Sequence, residues 1–250
     1  MSKKKDERQF KLRHLLAKKE KSSILELSKE LHVTCETIRK DIVELENQNI
    51  VKRHKGYVYL NDIPSEMPML LRNQEYFEEK KSIMLKACEY IKDGMMVYLD
   101  SGSTCQAGIP FLQSKKGITI VTPSILVAYK CCIHNIHTIV LGGKLSDTSY
   151  RSYGDFPCAT MDRIHIDIAV LGSLGIKNNN GFTTHENEYT LKRHVMQQSE
   201  CIIIVADAHK FDTNPSFTYA KFREADIFIT NPINKDNLNQ IKDIKKIIQV

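Results

Sequence analysis

The sequence predicts an α/β protein in two parts: a small N-terminal helical module ending in a β-hairpin, and a larger α/β body built on a largely parallel sheet. Three observations lead there. The 250 residues carry a formal net charge of +6, and all of the excess lies in residues 1–60, which hold fifteen Lys/Arg against nine Asp/Glu, while the remainder is balanced at twenty-one of each. Within those sixty residues, helical apolar spacing gives way to two β-prone runs around a glycine turn. From residue 75 onward, short apolar runs alternate with helical segments, as buried parallel strands and their crossover helices do.

Composition narrows the function classes. A charged fraction of 26% with 42% hydrophobic residues is that of an ordinary globular chain and excludes wholesale disorder. The longest apolar run, Cys201 to Ala206, is far short of the roughly 18 residues of a membrane span. The charged start, Met1 to Arg8, is no secretory signal, so a cytoplasmic protein without membrane partners is expected. Seven cysteines with no Cys-x-x-Cys pair fit neither a disulfide framework nor a zinc site; reduced thiols are expected.

The N-terminal elements follow in order. Phe10, Leu12, Leu15 and Leu16 repeat at helical spacing, giving a helix from Arg8 to about Lys19. Ser23-Ile24-Leu25-Glu26 is a capping box that opens a short helix through Leu27 and Leu31. His32-Val33 makes a tight turn, and Thr34 caps a third helix whose Ile38, Ile42 and Leu45 share one face. Glu36, Lys40 and Val43 point the opposite way, flanked by Thr37 and Arg39. Two short helices joined by a tight turn, with hydroxyl and basic side chains on the second, match a helix-turn-helix that lays its second helix in the major groove. Ile50 to Arg53 and Tyr57 to Leu60 around His54-Lys55-Gly56 read as a hairpin, with Lys52, Arg53 and Lys55 suited to phosphates. Together these make a winged helix, and double-stranded DNA is the expected partner. The candidate contacts are Thr34, Glu36, Thr37, Arg39 and Lys40 on the second helix and Lys52, Arg53 and Lys55 on the wing.

The run Val33-Thr34-Cys35-Glu36-Thr37-Ile38-Arg39-Lys40-Asp41-Ile42-Val43-Glu44-Leu45-Glu46, followed by Val51-Lys52-Arg53-His54-Lys55-Gly56, resembles the signature of the DeoR family of bacterial transcriptional regulators. That family shows Val-Ser-x-x-Thr-Ile-Arg-Arg-Asp-Leu, then Arg-x-His-Gly-Gly. The departures are Thr34 for Ser, Lys40 for the second Arg and Lys55 for the first Gly; the first two keep capping and charge.

Residues 61–74, with Pro64 and Pro68, read as a linker. A helix through Ile83, Ala87 and Ile91 is expected to stop at Gly94. Strands are predicted at Met95–Leu99, Ile118–Val121, Thr138–Leu141, Ile166–Leu171, Cys201–Val205, Ile227–Ile229 and Lys246–Gln249, with helices over 123–132 and 186–199. Ligands of such sheets bind at the carboxyl ends of the strands. There, Asp100-Ser101-Gly102-Ser103-Thr104 combines a glycine with three hydroxyls ahead of a helix, which is suited to a phosphate; a plain strand-to-helix turn capped by Ser103 has the same look. Thr122-Pro123-Ser124, Gly142-Gly143-Lys144 and Asp207-Ala208-His209-Lys210 follow other strands. Lys144, Lys192 and Lys210 could supply countercharge.

The same stretches resemble the DeoR effector domain, which is similar in fold to ribose-5-phosphate isomerase. The family pattern of Asp-x-Gly-Thr-Thr, Thr-Asn, Gly-Gly, an isolated Gly, Glu-x-x-x-Lys-Arg and Asp-x-x-Lys appears in order. It runs as Asp100 to Thr104, Thr122-Pro123, Gly142-Gly143, Gly154, Glu188 to Arg193, and Asp207 to Lys210. The resemblance implies a repressor of a sugar-uptake or catabolic operon modulated by a phosphorylated sugar. Pro123 replaces Asn, and Gly108 and Pro110 interrupt the helix after the phosphate turn.

The rival reading is an isomerase-like enzyme with a DNA-binding module. It needs a carboxylate base, yet Leu171-Gly172-Ser173-Leu174-Gly175, where the isomerases carry acids, has none; Asp100, Glu186, Glu188 and Asp207 remain as possible acids. His134 and His137 lack a completing ligand set, so neither metal nor cofactor is expected. The sequence therefore predicts a DNA-binding domain at 1–60 and a sugar-phosphate domain at 75–250. A homo-oligomer, dimer or tetramer, is expected because one winged helix contacts too little DNA.

Overall fold

The computed structural model describes residues 3–19, 21–47, 50–60, 69–73, 75–177, 181–213 and 216–250. The chain divides into two compact units, Met1–Leu71 and Arg72–Val250. Pro64 and Pro68, on which the linker expectation rests, lie outside the described residues.

The first unit runs α1 (Lys3–Lys19), β1 (Lys21–Ser23), α2 (Ile24–Glu30), α3 (Cys35–Asn47), β2 (Val51–His54) and β3 (Tyr57–Leu60). The apolar faces that periodicity assigns meet in one core of Leu12, Leu16, Leu27, Ile38, Ile42, Leu45, Val51, Val58 and Leu60. Its helix starts are capped as expected. The Ser23 hydroxyl accepts from Glu26 N at 3.2 Å while the Glu26 carboxylate accepts from Ser23 N at 2.7 Å, and Thr34 Oγ1 accepts from Thr37 N at 3.2 Å. Two features escaped the sequence. Helix α1 begins at Lys3, not Arg8, because its first turns are held by charge: Lys5 reaches Glu44 at 2.5 Å, and Arg8 grips the buried Asp41 with two hydrogen bonds of 2.5 and 3.0 Å. Strand β1 pairs antiparallel with β3, so the hairpin is a three-stranded sheet ordered β1-β3-β2.

The helix α4 (Met69–Arg72) is followed by α5 (Phe77–Cys88), β4 (Met96–Leu99), α6 (Ser103–Ala107), α7 (Ile109–Leu112), β5 (Thr119–Thr122), α8 (Ile125–Ile133) and β6 (His137–Val140). Then come β7 (Lys144–Leu145), β8 (Ser152–Tyr153), α9 (Asp155–Met161), β9 (Ile166–Gly172), β10 (Gly175–Lys177), β11 (Gly181–Thr184), α10 (Glu186–Gln197) and β12 (Ser199–Val205). The last elements are β13 (Phe217–Ala220), β14 (Ile227–Thr230), α11 (Lys235–Gln240) and β15 (Ile247–Gln249).

The seven predicted strands are the seven of the main sheet. They lie in the order β15-β14-β12-β9-β4-β5-β6, and every pairing is parallel. Each face carries its own core. One packs Val97, Leu99, Ile120 and Val170 against Ile83 and Met84 of α5 and Val127 of α8. The other packs Tyr98, Val121, Leu171 and Phe228 against Met161 of α9 and Leu191 and Val195 of α10. From β4 the chain builds outward through β5 to β6, then returns to lay β9 on the opposite side of β4. The strand order therefore reverses between β4 and β9, where such sheets open a crevice.

Three local outcomes differ from or refine the expectation. Helix α5 ends at Cys88 rather than running to Gly94, whose φ of +80° serves the turn into β4. The helix after the phosphate turn does break, into α6 and α7 at Gly108, where a Cβ would come within 2.4 Å of Met84 Cε. The antiparallel sheet β10-β11-β13 and the pair β7-β8 were not foreseen.

Candidate functional site

On the first unit, the outer face of α3 shows Glu36, Arg39, Lys40 and Val43 to solvent, with Thr37 half-buried beside them. Arg39 is tied to Glu36, at 3.2 Å between two exposed side chains, a pair worth little and readily exchanged for another partner. Thr34 spends its hydroxyl on the cap and on Thr37 Oγ1 at 2.9 Å. Lys52, Arg53 and Lys55 are exposed on the hairpin, and Arg53 holds Glu46 of α3 at 2.5 Å, bracing wing against helix. The turn itself places Lys55 at φ +47° and Gly56 at φ +82°, the two positive angles of a type I′ hairpin turn. Lys55 thus occupies a backbone position that favours glycine, with its ammonium at the tip.

In the second unit, a cleft opens at the β4–β9 reversal. Arg72, Asp100, Gly102, Ser103, Thr104, Gly172, Ser173, Leu174, Glu188, Lys192 and Lys210 line it. Its floor is a buried charge network. Asp100 Oδ2 accepts from Gly172 N at 2.8 Å and from Lys192 Nζ at 2.7 Å, and Oδ1 accepts from Ser101 N at 2.8 Å. Lys192 Nζ also donates to the Gly172 carbonyl at 2.7 Å. Next to this pair, Glu188 meets Arg151 Nε at 3.0 Å and accepts from the Thr184 hydroxyl and, at 3.5 Å, from Ser101 Oγ. Burial alone would push the Glu188 carboxyl up, but Lys192, Arg151 and the Thr184 hydroxyl outweigh it and hold it down at about 2. Burial likewise works against the charge on Lys192, yet Asp100 and Glu188 keep its pKa raised.

The expected ligand residues divide. Asp100, Gly102, Ser103, Thr104, Lys192 and Lys210 line one cleft, with Ser101 buried beneath it. Lys192 reaches the lining with its ammonium held by Asp100 and a carbonyl, so it organises the floor as well as carrying the expected charge. Ser124 needs correction, because its buried hydroxyl caps α8 by accepting from Val127 N at 3.3 Å, while Thr122 Oγ1 accepts from Ser124 N at 3.2 Å. Gly142, Gly143 and Lys144 lie past the end of the edge strand β6, exposed and outside the cleft lining. Asp207 is wholly buried beside it, with Oδ1 accepting from His209 N at 3.2 Å and Oδ2 without a hydrogen bond among the described residues.

Sequence reasoning missed three cations. Arg151 is buried against Glu188, and Arg72 reaches the cleft from the end of α4. Lys80 on α5 is 3% exposed and donates to the Arg72 carbonyl at 2.6 Å. Burial lowers its pKa to about 8, against the pull of Asp207 and with the push of Lys210. Only a lysine on the apolar side of an amphipathic helix, next to Ile83 and Met84, could have signalled it.

Comparison with known proteins now bears on this geometry. Residues 8–63 match the family model of the DeoR-like helix-turn-helix domain, and residues 75–232 match that of the DeoR C terminal sensor domain. The HTH-type transcriptional repressor GlcR of Bacillus subtilis is 32% identical over 203 residues, covering 80% of this chain and 78% of that protein. The glycerol-3-phosphate regulon repressor of Escherichia coli is 27% identical over 208 residues, 82% of each. Among solved structures, ribose 5-phosphate isomerase A from Methanocaldococcus jannaschii is 17% identical over 54% of each chain, with a TM-score of 0.41. Among the described residues no helix is long and apolar enough to cross a membrane. Two family models in the expected order, a basic helix-turn-helix surface and a polar cleft at the strand reversal lead to one conclusion: this chain is a transcriptional regulator of the DeoR family.

Proposed function

We propose that the chain is a repressor of a sugar or polyol operon whose hold on operator DNA is modulated by a phosphorylated sugar bound in the β4–β9 cleft. The observation that carries this reading is the composition of the cleft wall. Ser103 and Thr104 line it together with Lys210 and Arg72, over a floor whose carboxylates are already neutralised by Lys192 and Arg151. An anion arriving there meets donors and cations rather than bare acids. Relatives named as a repressor and as a glycerol-3-phosphate regulon repressor support the regulatory half. On the DNA side, Thr37, Arg39 and Lys40 would read the groove, and Lys52, Arg53 and Lys55 would hold phosphates.

The isomerase alternative is weakened by the same network. A proton-abstracting base works best with a pKa near the working pH, and Glu188, locked by Arg151 and held at about 2, is a poor acceptor. Fluorescence anisotropy on the chain's own upstream DNA at fixed salt, titrated with sugar phosphates and their parent sugars, tests the proposal. One phosphate ester should alter specific binding where its parent does not. Specific binding indifferent to every ester would remove the effector half, and the absence of specific binding would remove the whole.

A further inference from the structure

Helix α8 is apolar on both its inner and its outer face. Its inner face, Val127, Ala128 and Cys131, is buried. At 100° per residue, its outer face gathers Ile125, Tyr129, Cys132 and Ile133. Ile125, Tyr129 and Ile133 are 43%, 65% and 59% exposed, and Cys132 is the one cysteine of the seven that is exposed and not partly or wholly buried. The only charge in the helix, Lys130, turns aside to Gln106 Oε1 at 2.9 Å. A helix hydrophobic on both faces belongs in an interior.

Beside it, β6 is the last strand of the main sheet. It leaves Ile139 and Val140 exposed and carries no proline or lysine, the residues that commonly blunt an edge. The apolar surface continues past the strand to Leu145 and Phe156, whose ring lies 3.8 Å from the Cβ position of Gly142.

We propose that α8 and the β6 edge form a self-association surface, packing on the same elements of a second copy of this chain about a two-fold axis. Three arguments choose a second copy. The first is area. Ile125, Tyr129, Ile133, Ile139, Val140, Leu145 and Phe156 are between 38% and 71% exposed. At about 200 Å² for a large apolar side chain, they offer roughly 750 Å², close to the ~800 Å² that each partner contributes to a standard interface. The second is charge. The outer face of α8 and the whole of β6 hold no Asp, Glu, Lys or Arg, so the face meets its own copy without like-charge repulsion and gives a charged partner nothing to pair with. The third rests on the regulator reading above: one winged helix reads one half-site, and specific operator binding calls for two.

Analytical ultracentrifugation of the full chain without DNA tests the surface, with Tyr129→Glu/Ile133→Glu as the variant. Both side chains are exposed, so folding is retained; circular dichroism and the melting midpoint verify this. The wild-type chain should be a dimer or larger, and the variant should lose that assembly step, its dissociation constant rising about 100-fold or more. As a second measurement on an otherwise native chain, a short bis-maleimide should give a covalent dimer that disappears in Cys132→Ser.

A folded double variant with unchanged mass, or crosslinking indifferent to Cys132, overturns the proposal. A monomeric wild type also overturns it and leaves the face to another protein. Operator anisotropy on the same samples separates the two readings. Specific DNA binding with an association that ignores α8 sinks the surface alone, whereas an α8-dependent dimer that ignores operator DNA sinks the regulator reading alone.

Discussion

Glu188 is a carboxylate kept ionised almost without water, and the direction of its pKa makes it a stability probe. Its folded value of about 2 lies below the ordinary ~4.3 of an unfolded chain. It therefore contributes stability that is complete above that ordinary value and is lost as pH falls towards 2, amounting to roughly 3 kcal/mol. Urea midpoints should fall steeply between neutral pH and pH 3 in the wild type. Glu188→Gln should be less stable at pH 7 by a similar amount, with a flatter acid limb; an unchanged limb would refute the assignment. Lys80 gives a slope of the same sign for a different reason, because burial disfavours its ammonium instead of neighbours favouring a charge. Its folded pKa of about 8 is below its unfolded value, so the unfolded chain binds more protons between about 8 and 10.4 and stability should rise with pH across that window. Lys80→Met should abolish this rise, read from the same denaturation series. Neither network was legible in the sequence. Asp100 and Lys192 stand 92 positions apart, and a buried ion pair leaves no periodic trace on either segment.

At the scale of elements, legibility followed burial. The central strands of the main sheet were visible because both faces are covered and each is an apolar run, and the edge strands β6 and β15 because each still carries a pair of β-branched apolar residues. The small antiparallel strands were not: Lys144–Leu145 and Ser152–Tyr153 are two residues each, and Gly181-Phe182-Thr183-Thr184 carries no alternation. Gly181 is there for space, since a Cβ would meet the Ala220 carbonyl oxygen at 2.0 Å. Within the cleft, the turn after β4 and Lys210 were readable as motifs, but Arg72 was not, because it arrives from the end of a short helix that carries no motif. The winged helix, legible but for β1 and the first turns of α1, yields two predictions. Arg39→Ala removes a 57%-exposed side chain with one surface partner, so melting should stay within about 0.5 kcal/mol, whereas operator affinity should fall by about 1–3 kcal/mol. Lys55→Gly relieves a left-handed backbone (φ +47°) and should stabilise the isolated unit by about 1 kcal/mol. Because the same change removes a charge proposed to contact a phosphate, it should also lower the salt dependence of DNA binding by about one unit, which thermal melts and salt titrations check separately.

On the proposed reading the whole molecule connects an anion in a cleft to the affinity of a DNA-reading surface, and among the described residues a short hydrogen-bonded route leaves the cleft. The Ser101 carbonyl, under the proposed phosphate seat, accepts from Gln106 Nε2 at 3.1 Å. Gln106 Oε1 in turn accepts from Asn73 Nδ2 at 3.1 Å, near the start of the body, and from Lys130 Nζ at 2.9 Å on α8. Gln106 is 2% exposed, so water does not compete for these bonds, and a ligand that draws the Ser101 turn towards itself moves an oxygen that two other elements depend on. Coupling of this kind is a free energy shared equally by both ligands, commonly about 5–150-fold in affinity. Lys130→Met cuts the branch to α8 while leaving Ser101, Ser103, Thr104 and Lys210 in place. It should bind the effector and the operator separately within about 3-fold of wild type, while the factor by which each changes the affinity of the other falls towards one. Anisotropy titrations of operator with and without saturating sugar phosphate, and calorimetric titrations of the sugar phosphate with and without operator, measure that factor from both sides. The two must agree by linkage, so a coupling factor that stays at its wild-type value in Lys130→Met would show that the signal leaves the cleft by a path that does not run through α8.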